Sequence, residues 1–317
     1  MDYELPYFPY SKYLKNKYGQ KIYKLPVNLP VSCPNRKNKR GCSFCAESGT
    51  GFEAMDSHFL VKEQLEKTRV SIERRYHAHK FIAYFQNYTN TFLPLEVFGG
   101  YIEEAAKFPD IVEIAVSTRP DCISREYLDL LKEINRQYET NITIELGLQT
   151  VNYHTLMQMN RGHTLAEWID AVLTVKKFDF EICVHVILNL PGDGMPDVIE
   201  TAKILSSLGI QTVKAHSLYI AKNTDLCDAY ESGKIQLCSK EEYLERLAVF
   251  LEYLAPEIAI ERLFSRIPEK DSAFCNWGCS WWKLRDELTD SMQANGRYQG
   301  RKFDYLGGAA LKNAGFI

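Results

Sequence analysis

The chain has 317 residues, with 38 basic and 41 acidic side chains giving a formal net charge of −3, and it is 45% hydrophobic and 25% charged. That composition belongs to a folded chain with a sizeable core, one large domain or two ordinary ones, and excludes disorder as the main theme. No stretch approaches the ~20 apolar residues of a membrane span, residues 1–10 lack the basic and apolar regions of a secretion signal, and nine cysteines, an odd number, argue for reduced thiols or metal ligands in the cytoplasm.

Residues 1–20 read as a basic, aromatic N-terminal arm. Over 1–40, nine Lys and Arg stand against Asp2 and Glu4, for +7; residues 291–317 carry +3, leaving −13 between them. Tyr3, Tyr7, Phe8, Tyr10, Tyr13 and Tyr18 interleave the first cluster, and Tyr298, Phe303 and Tyr305 the second. Cations that neutralise phosphates beside rings that stack on unpaired bases suit a nucleic-acid surface. A solvated arm packing its rings on the domain fits the same residues.

An apolar run at 21–32 opens the core region, assigned to 21–265. Cys33, Cys42 and Cys45 follow it with C-x8-C-x2-C spacing. A C-x2-C pair can place two thiolates on one metal or cluster edge, and the basic loop lets Cys33 reach the same centre. Structural zinc and ordinary iron–sulfur clusters want four ligands, yet His58 is the nearest further Cys or His downstream. Three ligands without a fourth suggest a cluster with one open iron. A zinc site with a distant fourth ligand, unligated core cysteines, and a redox thiol activated by Arg36, Lys37, Lys39 and Arg40 are the alternatives.

Beyond the cysteines the pattern predicts a helix over 61–76. Strands at 81–86, 112–117, 142–148, 181–188, 212–218 and 257–263 then alternate with helices at 94–107, 124–138, 165–178, 196–208 and 239–254. Ser124 and Ser239 stand at N-cap positions, and Glu242 extends the second into a capping box. The alternation gives an α/β fold with a parallel sheet, either doubly wound or a barrel of six or seven units. Residues 266–317 form a C-terminal extension. Chemistry in such folds collects at the C-terminal strand ends, where Gln86, Ser117 and Gln149 stand; turn formation does not account for them.

The cysteine triplet, FQNYTNT (85–91), STRPDC (117–122), ELGLQT (145–150), NRGH (160–163) and HVILNLPG (185–192) together resemble the radical S-adenosylmethionine (SAM) enzymes. The likeness is nearest to the YhcC/YtqA-like subgroup, related to the Elongator catalytic subunit. It spans roughly 10–265. The resemblance implies a partial (β/α)6 barrel with a [4Fe-4S] cluster on Cys33, Cys42 and Cys45. SAM would chelate the fourth iron and, on reduction, yield a 5′-deoxyadenosyl radical. It also implies SAM contacts at Gln86, Ser117, Gln149, Arg161 and His185. Gln86 could instead cap a strand end, Arg161 pair with an acid, and His185 be a core histidine. An electron donor such as flavodoxin or ferredoxin is implied, and transfer RNA is the expected substrate, altered at the C5 substituent of a wobble uridine. A small metabolite or protein substrate, and an RNA-binding protein with structural zinc, are the alternatives. Asn189 and Lys37 depart from the family pattern. The Cys275-x3-Cys279 pair reads as an auxiliary metal or redox site or, more simply, as two thiols beside buried tryptophans.

Overall fold

In this computed structural model, residues 5–36, 41–46 and 54–316 are described; Tyr3, Lys37, Lys39 and Arg40 lie outside them. The N-terminal segment forms helix α1 (Tyr10–Tyr18) and strand β1 (Ile22–Val27). Helices and strands then alternate through α2 (Val61–Tyr76), β2 (Lys80–Phe85), α3 (Leu95–Ala106), β3 (Ile111–Thr118), α4 (Arg125–Tyr138), β4 (Asn141–Gln149), the short α5 (Tyr153–Gln158), α6 (Leu165–Lys176), β5 (Glu181–Ile187), α7 (Met195–Ser207) and β6 (Thr212–His216). After β7 (Ile220–Ala221), α8 (Asp225–Glu231) and α9 (Lys240–Tyr253), β8 (Ala259–Arg262) completes the sheet. The chain ends with β9 (Ser272–Phe274), α10 (Trp281–Ala294) and α11 (Ala309–Asn313).

Seven strands pair in parallel in the order β1-β2-β3-β4-β5-β6-β8, while β7 and β9 form a separate antiparallel pair. The sheet is the expected partial barrel, open between β1 and β8. Its strands read as nearly continuous apolar runs because both faces are covered, by helices outside and side chains within. Ile142 through Leu148 are all buried. On α4, Leu128, Leu131 and Ile134 are buried at three-residue spacing, the stripe that faces the sheet. At the start of α9 the Ser239 hydroxyl accepts the Glu242 amide at 3.1 Å. Ser124 occupies the N-cap position of α4, but its hydroxyl donates to the Glu126 carboxylate at 2.6 Å.

Residues 10–18 are not a loose arm. Leu14 is buried, Tyr10 stacks on Tyr13 with ring centroids 5.9 Å apart, and Ile260 donates its amide to Phe8 O at 2.8 Å, covering the β8 edge. Lys17 reaches Glu113 at 2.9 Å and Glu181 at 2.8 Å, both near strand starts, so α1 plugs the N-terminal end of the barrel. The charge of Lys17 is therefore committed inside the fold, whereas Lys12 and Lys15 are exposed.

Candidate active site

The barrel interior is charged. Lys24 on β1 donates to Glu145 on β4 at 2.7 Å and to Glu261 on β8 at 2.7 and 2.8 Å. Lys214 on β6 donates to the other Glu145 oxygen at 2.6 Å and to the Tyr84 hydroxyl at 2.9 Å, and lies 3.0 Å from Glu261. Two ammonium groups thus face two carboxylates in a balanced layer. Burial alone would raise the Glu145 pKa, but Lys214 and Lys24 outweigh it and hold the carboxyl well below its usual range. Glu145 also accepts from Ser117 Oγ at 3.1 Å and sits 2.8 Å from His185 Nε2. Burial, with help from Lys214, lowers the His185 pKa against the pull of Glu145, so the imidazole is neutral near pH 7.

Above this floor, at the C-terminal strand ends, the cysteine loop is pinned to the segment after α5. Asn35 Nδ2 donates to Asn160 O at 2.6 Å, Asn160 Nδ2 to Gly41 O at 2.7 Å, and the Ser43 amide to Met159 O at 3.0 Å. Leu226, in α8, donates its amide to Ser43 O at 2.9 Å, fixing the loop from the other side. Gly162, at φ +74, passes so close to Asn35 that a Cβ there would stand 2.8 Å from Oδ1, so glycine is required for the closure.

The thiols meet donors. Arg36 Nη2 approaches Cys45 Sγ at 3.4 Å, while Asn35 Nδ2 and Arg161 Nη1 approach Cys42 Sγ at 3.5 and 3.6 Å. Arg36 also donates to Cys45 O and Ala46 O and lies over the Tyr88 ring, 5.5 Å from its centroid. Burial raises the Cys45 pKa, the neighbouring Cys42 and Cys33 charges add to this, and Arg36 opposes it. All nine cysteines are free thiols. Three thiols sharing one cleft with Arg36, Arg119 and Arg161 suit a thiolate-bound cluster, whose negative charge those guanidinium groups offset.

Two adjoining clefts open here, side by side at the mouth of the barrel. The first holds all three cysteines with Gln86, Ser117, Gln149, Arg161 and His185. The five predicted contacts and the triplet are therefore brought together. In that cleft the buried Arg161 Nε and Thr89 Oγ1 have no hydrogen-bond partner among the described residues, as befits groups awaiting a polar ligand. Arg161 Nη2 donates to Gly147 O at 3.1 Å. A Cβ on Gly147 would lie 2.7 Å from both Arg161 Nη2 and Gln149 Nε2, so the glycine lets the two side chains converge. The β4 register shifts between Gly147 and Gln149, and Gln149, paired with Val186 at φ +73, lines the cleft. The second cleft, hereafter the chamber, shares Phe44, Gln86, Gln149 and His185 with the first and adds Tyr84, Lys214, His216, Tyr219 and Arg262.

Glu145, Lys24, Lys214 and Glu261 were not anticipated as site residues, nor were Asn35, Asn160 and Arg119. The available signal was a charge inside each apolar strand run, as in ITIELGL and TVKAHSL. Glu145, Cys183 and His185 bring ligand atoms within 4.8 Å of one another. Two ammonium groups already hold the carboxylate, and burial, first, with Glu145 raises the Cys183 pKa, which keeps that thiol protonated. The Cys275–Cys279 pair flanks a short 3-10 turn at Asn276–Gly278, and burial pushes Cys275 up to about 11.

Comparison with known proteins identifies the family. The Radical SAM superfamily model matches residues 27–205, and the Radical_SAM C-terminal domain model matches 210–294. Protein YtqA of Bacillus subtilis is 30% identical over 94% of this chain and 96% of its own length. The tRNA uridine(34) acetyltransferase of Methanocaldococcus jannaschii is 24% identical over 53% of this chain and 31% of that protein. In structure, the Elp3 of Methanocaldococcus infernus superposes with a TM-score of 0.68 at 16% identity, covering 88% of this chain and 64% of that one. The chain belongs to the radical SAM superfamily, whose members use a [4Fe-4S] cluster and SAM.

Proposed function

We propose that this radical SAM enzyme remodels the C5 substituent of a wobble uridine in transfer RNA. Cys33, Cys42 and Cys45 would hold three irons. Arg161, Gln149, Gln86, Ser117 and His185 would contact SAM, and Thr89 joins them through its unpartnered hydroxyl. When bound and reduced by a one-electron donor such as flavodoxin or ferredoxin, cluster and cofactor supply a radical that takes a hydrogen atom from carbon.

The protein's own part is positioning. Arg161, anchored on Gly147 O, offers its free Nε to an anionic or hydroxyl group of the cofactor. His185, neutral and tied to Glu145 through Nε2, would orient rather than protonate. Ser117 has its hydroxyl on Glu145, so its contact would run through its oxygen lone pairs. The walls of the chamber, with Phe44, Tyr84, Leu218 and Tyr219, would exclude water from the reacting carbon.

The observation that carries the enzymatic reading is the shared wall of the two clefts: Gln86, Gln149 and His185 border both the cysteine cleft and the adjoining chamber. The RNA reading is supported by the relative whose name specifies transfer-RNA uridine(34). Two measurements test it. Anaerobically reconstituted, reduced protein should release 5′-deoxyadenosine from SAM. A strain lacking the gene should accumulate a wobble-uridine precursor detectable by nucleoside mass spectrometry; an unchanged modification profile refutes the RNA assignment.

A further inference from the structure

The open flank of the barrel, between β1 and β8, is a long groove exposed to solvent. Its cations come from four elements: Lys12 and Lys15 on α1, Lys21 just before β1, Arg262 at the end of β8, Arg266 beyond it, and Arg285 on α10. Its one lining carboxylate, Glu261, is already held by Lys24 and Lys214. Lys15, Lys21 and Arg262 make no side-chain ion pair or hydrogen bond among the described residues. Aromatic side chains lie between the charges. Tyr23 is stacked on Tyr76 at 4.5 Å, and the Trp281 ring lies 4.0 Å from the Arg266 guanidinium carbon and 5.6 Å from that of Arg285.

Arg262 and Arg266 line this groove and also the chamber. A cationic, ring-bearing track therefore leads to the mouth of the chamber, which Phe44, Tyr84 and Tyr219 help to line beside the cysteine cleft. We propose that this groove seats the sugar–phosphate backbone of the RNA substrate, with Arg262 and Arg266 holding phosphates at the mouth while one unstacked base enters the chamber. The proposal rests on the RNA reading above and adds where the strand lies. The chemistry is that of base extrusion: backbone contacts fix register, and the reacting nucleotide leaves the stack for an enclosed pocket. A small metabolite would make no use of cations spread over four elements outside the chamber. The same layout removes Lys17 from the binding surface, since it is spent on Glu113 and Glu181.

The test uses the full-length, cluster-loaded protein and a fluorescently labelled anticodon stem–loop RNA bearing a wobble uridine, with binding followed by anisotropy across a salt series. Lys15→Glu combined with Lys21→Glu should weaken binding at least about tenfold at low salt and reduce the slope of log K against log salt by roughly 1–2. Lys15→Gln with Lys21→Gln should give a smaller loss in the same direction. The control pair Lys177→Glu with Lys234→Glu, exposed and outside the groove, should bind as wild type does. Equal binding by the groove and control variants overturns the groove assignment while leaving the RNA reading standing. Failure of the wild-type protein to bind the stem–loop overturns both.

Discussion

Replacing Glu145 by Gln keeps the shape of the side chain and removes one charge from the interior layer. In the native protein Glu145 takes Lys24 at 2.7 Å and Lys214 at 2.6 Å, and its side chain is fully shielded from solvent. After substitution Lys24 and Lys214 share Glu261 alone, leaving one ammonium uncompensated in a layer where the Lys214 side chain is 3% and the Lys24 side chain 16% exposed. Breaking a buried ion pair from one side costs about 3–5 kcal/mol, and that is the loss expected in urea unfolding of the metal-free, thiol-reduced chain at pH 7. The pH dependence separates this cause from a packing defect. Lys24 and Lys214 hold the folded-state pKa of Glu145 well below its usual value, so its stabilising share is present above the unfolded carboxylate pKa and is lost as pH falls towards the folded one. Wild type should therefore lose ~1.4 kcal/mol per pH unit below about pH 4.3 from this group. Glu145→Gln lacks that share, so the two stability curves should converge in acid. Adding Lys214→Met removes the stranded charge and should recover part of the deficit, the signature of direct coupling. A deficit under about 1 kcal/mol, or one that does not shrink as pH falls below about 4.3, would show that solvent screens the layer and would refute the reasoning.

Further expectations follow from neighbouring features. Changing any one of Cys33, Cys42 or Cys45 to Ser should lower iron in the anaerobically reconstituted protein from about four per chain to well under one, with loss of the visible absorbance; retention of iron by any of the three would remove that cysteine from the ligand set. Gly147→Ala places a Cβ 2.7 Å from Arg161 Nη2 and Gln149 Nε2, so both must move. Turnover of SAM should fall ~10–100-fold with little change in the urea midpoint, and normal turnover would exclude Arg161 and Gln149 as cofactor contacts. Lys17→Met leaves the Glu113 and Glu181 carboxylates without their shared cation. It should cost ~1–2 kcal/mol in unfolding while leaving the salt dependence of RNA binding unchanged, whereas a flattened salt slope would return Lys17 to the binding surface.

What the sequence made legible was local. C-x8-C-x2-C can be read without a fold because its ligands lie within one loop, and the β/α alternation can be read because each helix carries its own apolar period. The predicted α4 and α9 start within a residue of their observed first turns. Helix α1 was harder. Its stripe is one buried leucine among tyrosines, so composition left a nucleic-acid surface and an arm packing its rings on the domain equally open, and the rings of Tyr10 and Tyr13 pack at the barrel end. α10 carries a clear stripe, Leu284, Leu288 and Met292, but it lies in the extension, where no strand followed to frame it.

The charged floor is the other case, and it shows where spacing rules stop. Lys24 and Glu145 are 121 positions apart, and Lys24 and Glu261 237 apart, so no motif contains them. Nor does alternation reveal them, since strands covered on both faces have no polar side to contrast with. A physical rule still applies. A lysine or glutamate within an apolar strand run costs several kcal/mol unless an opposite charge meets it. Two such lysines and two such glutamates in one barrel therefore imply each other before any coordinates are known. Their balance also explains Ser117 and His185, predicted as cofactor contacts from their strand-end positions. Both are bonded to Glu145, so the floor fixes their orientation, and a charge change at Glu145 reaches the cofactor cleft through them.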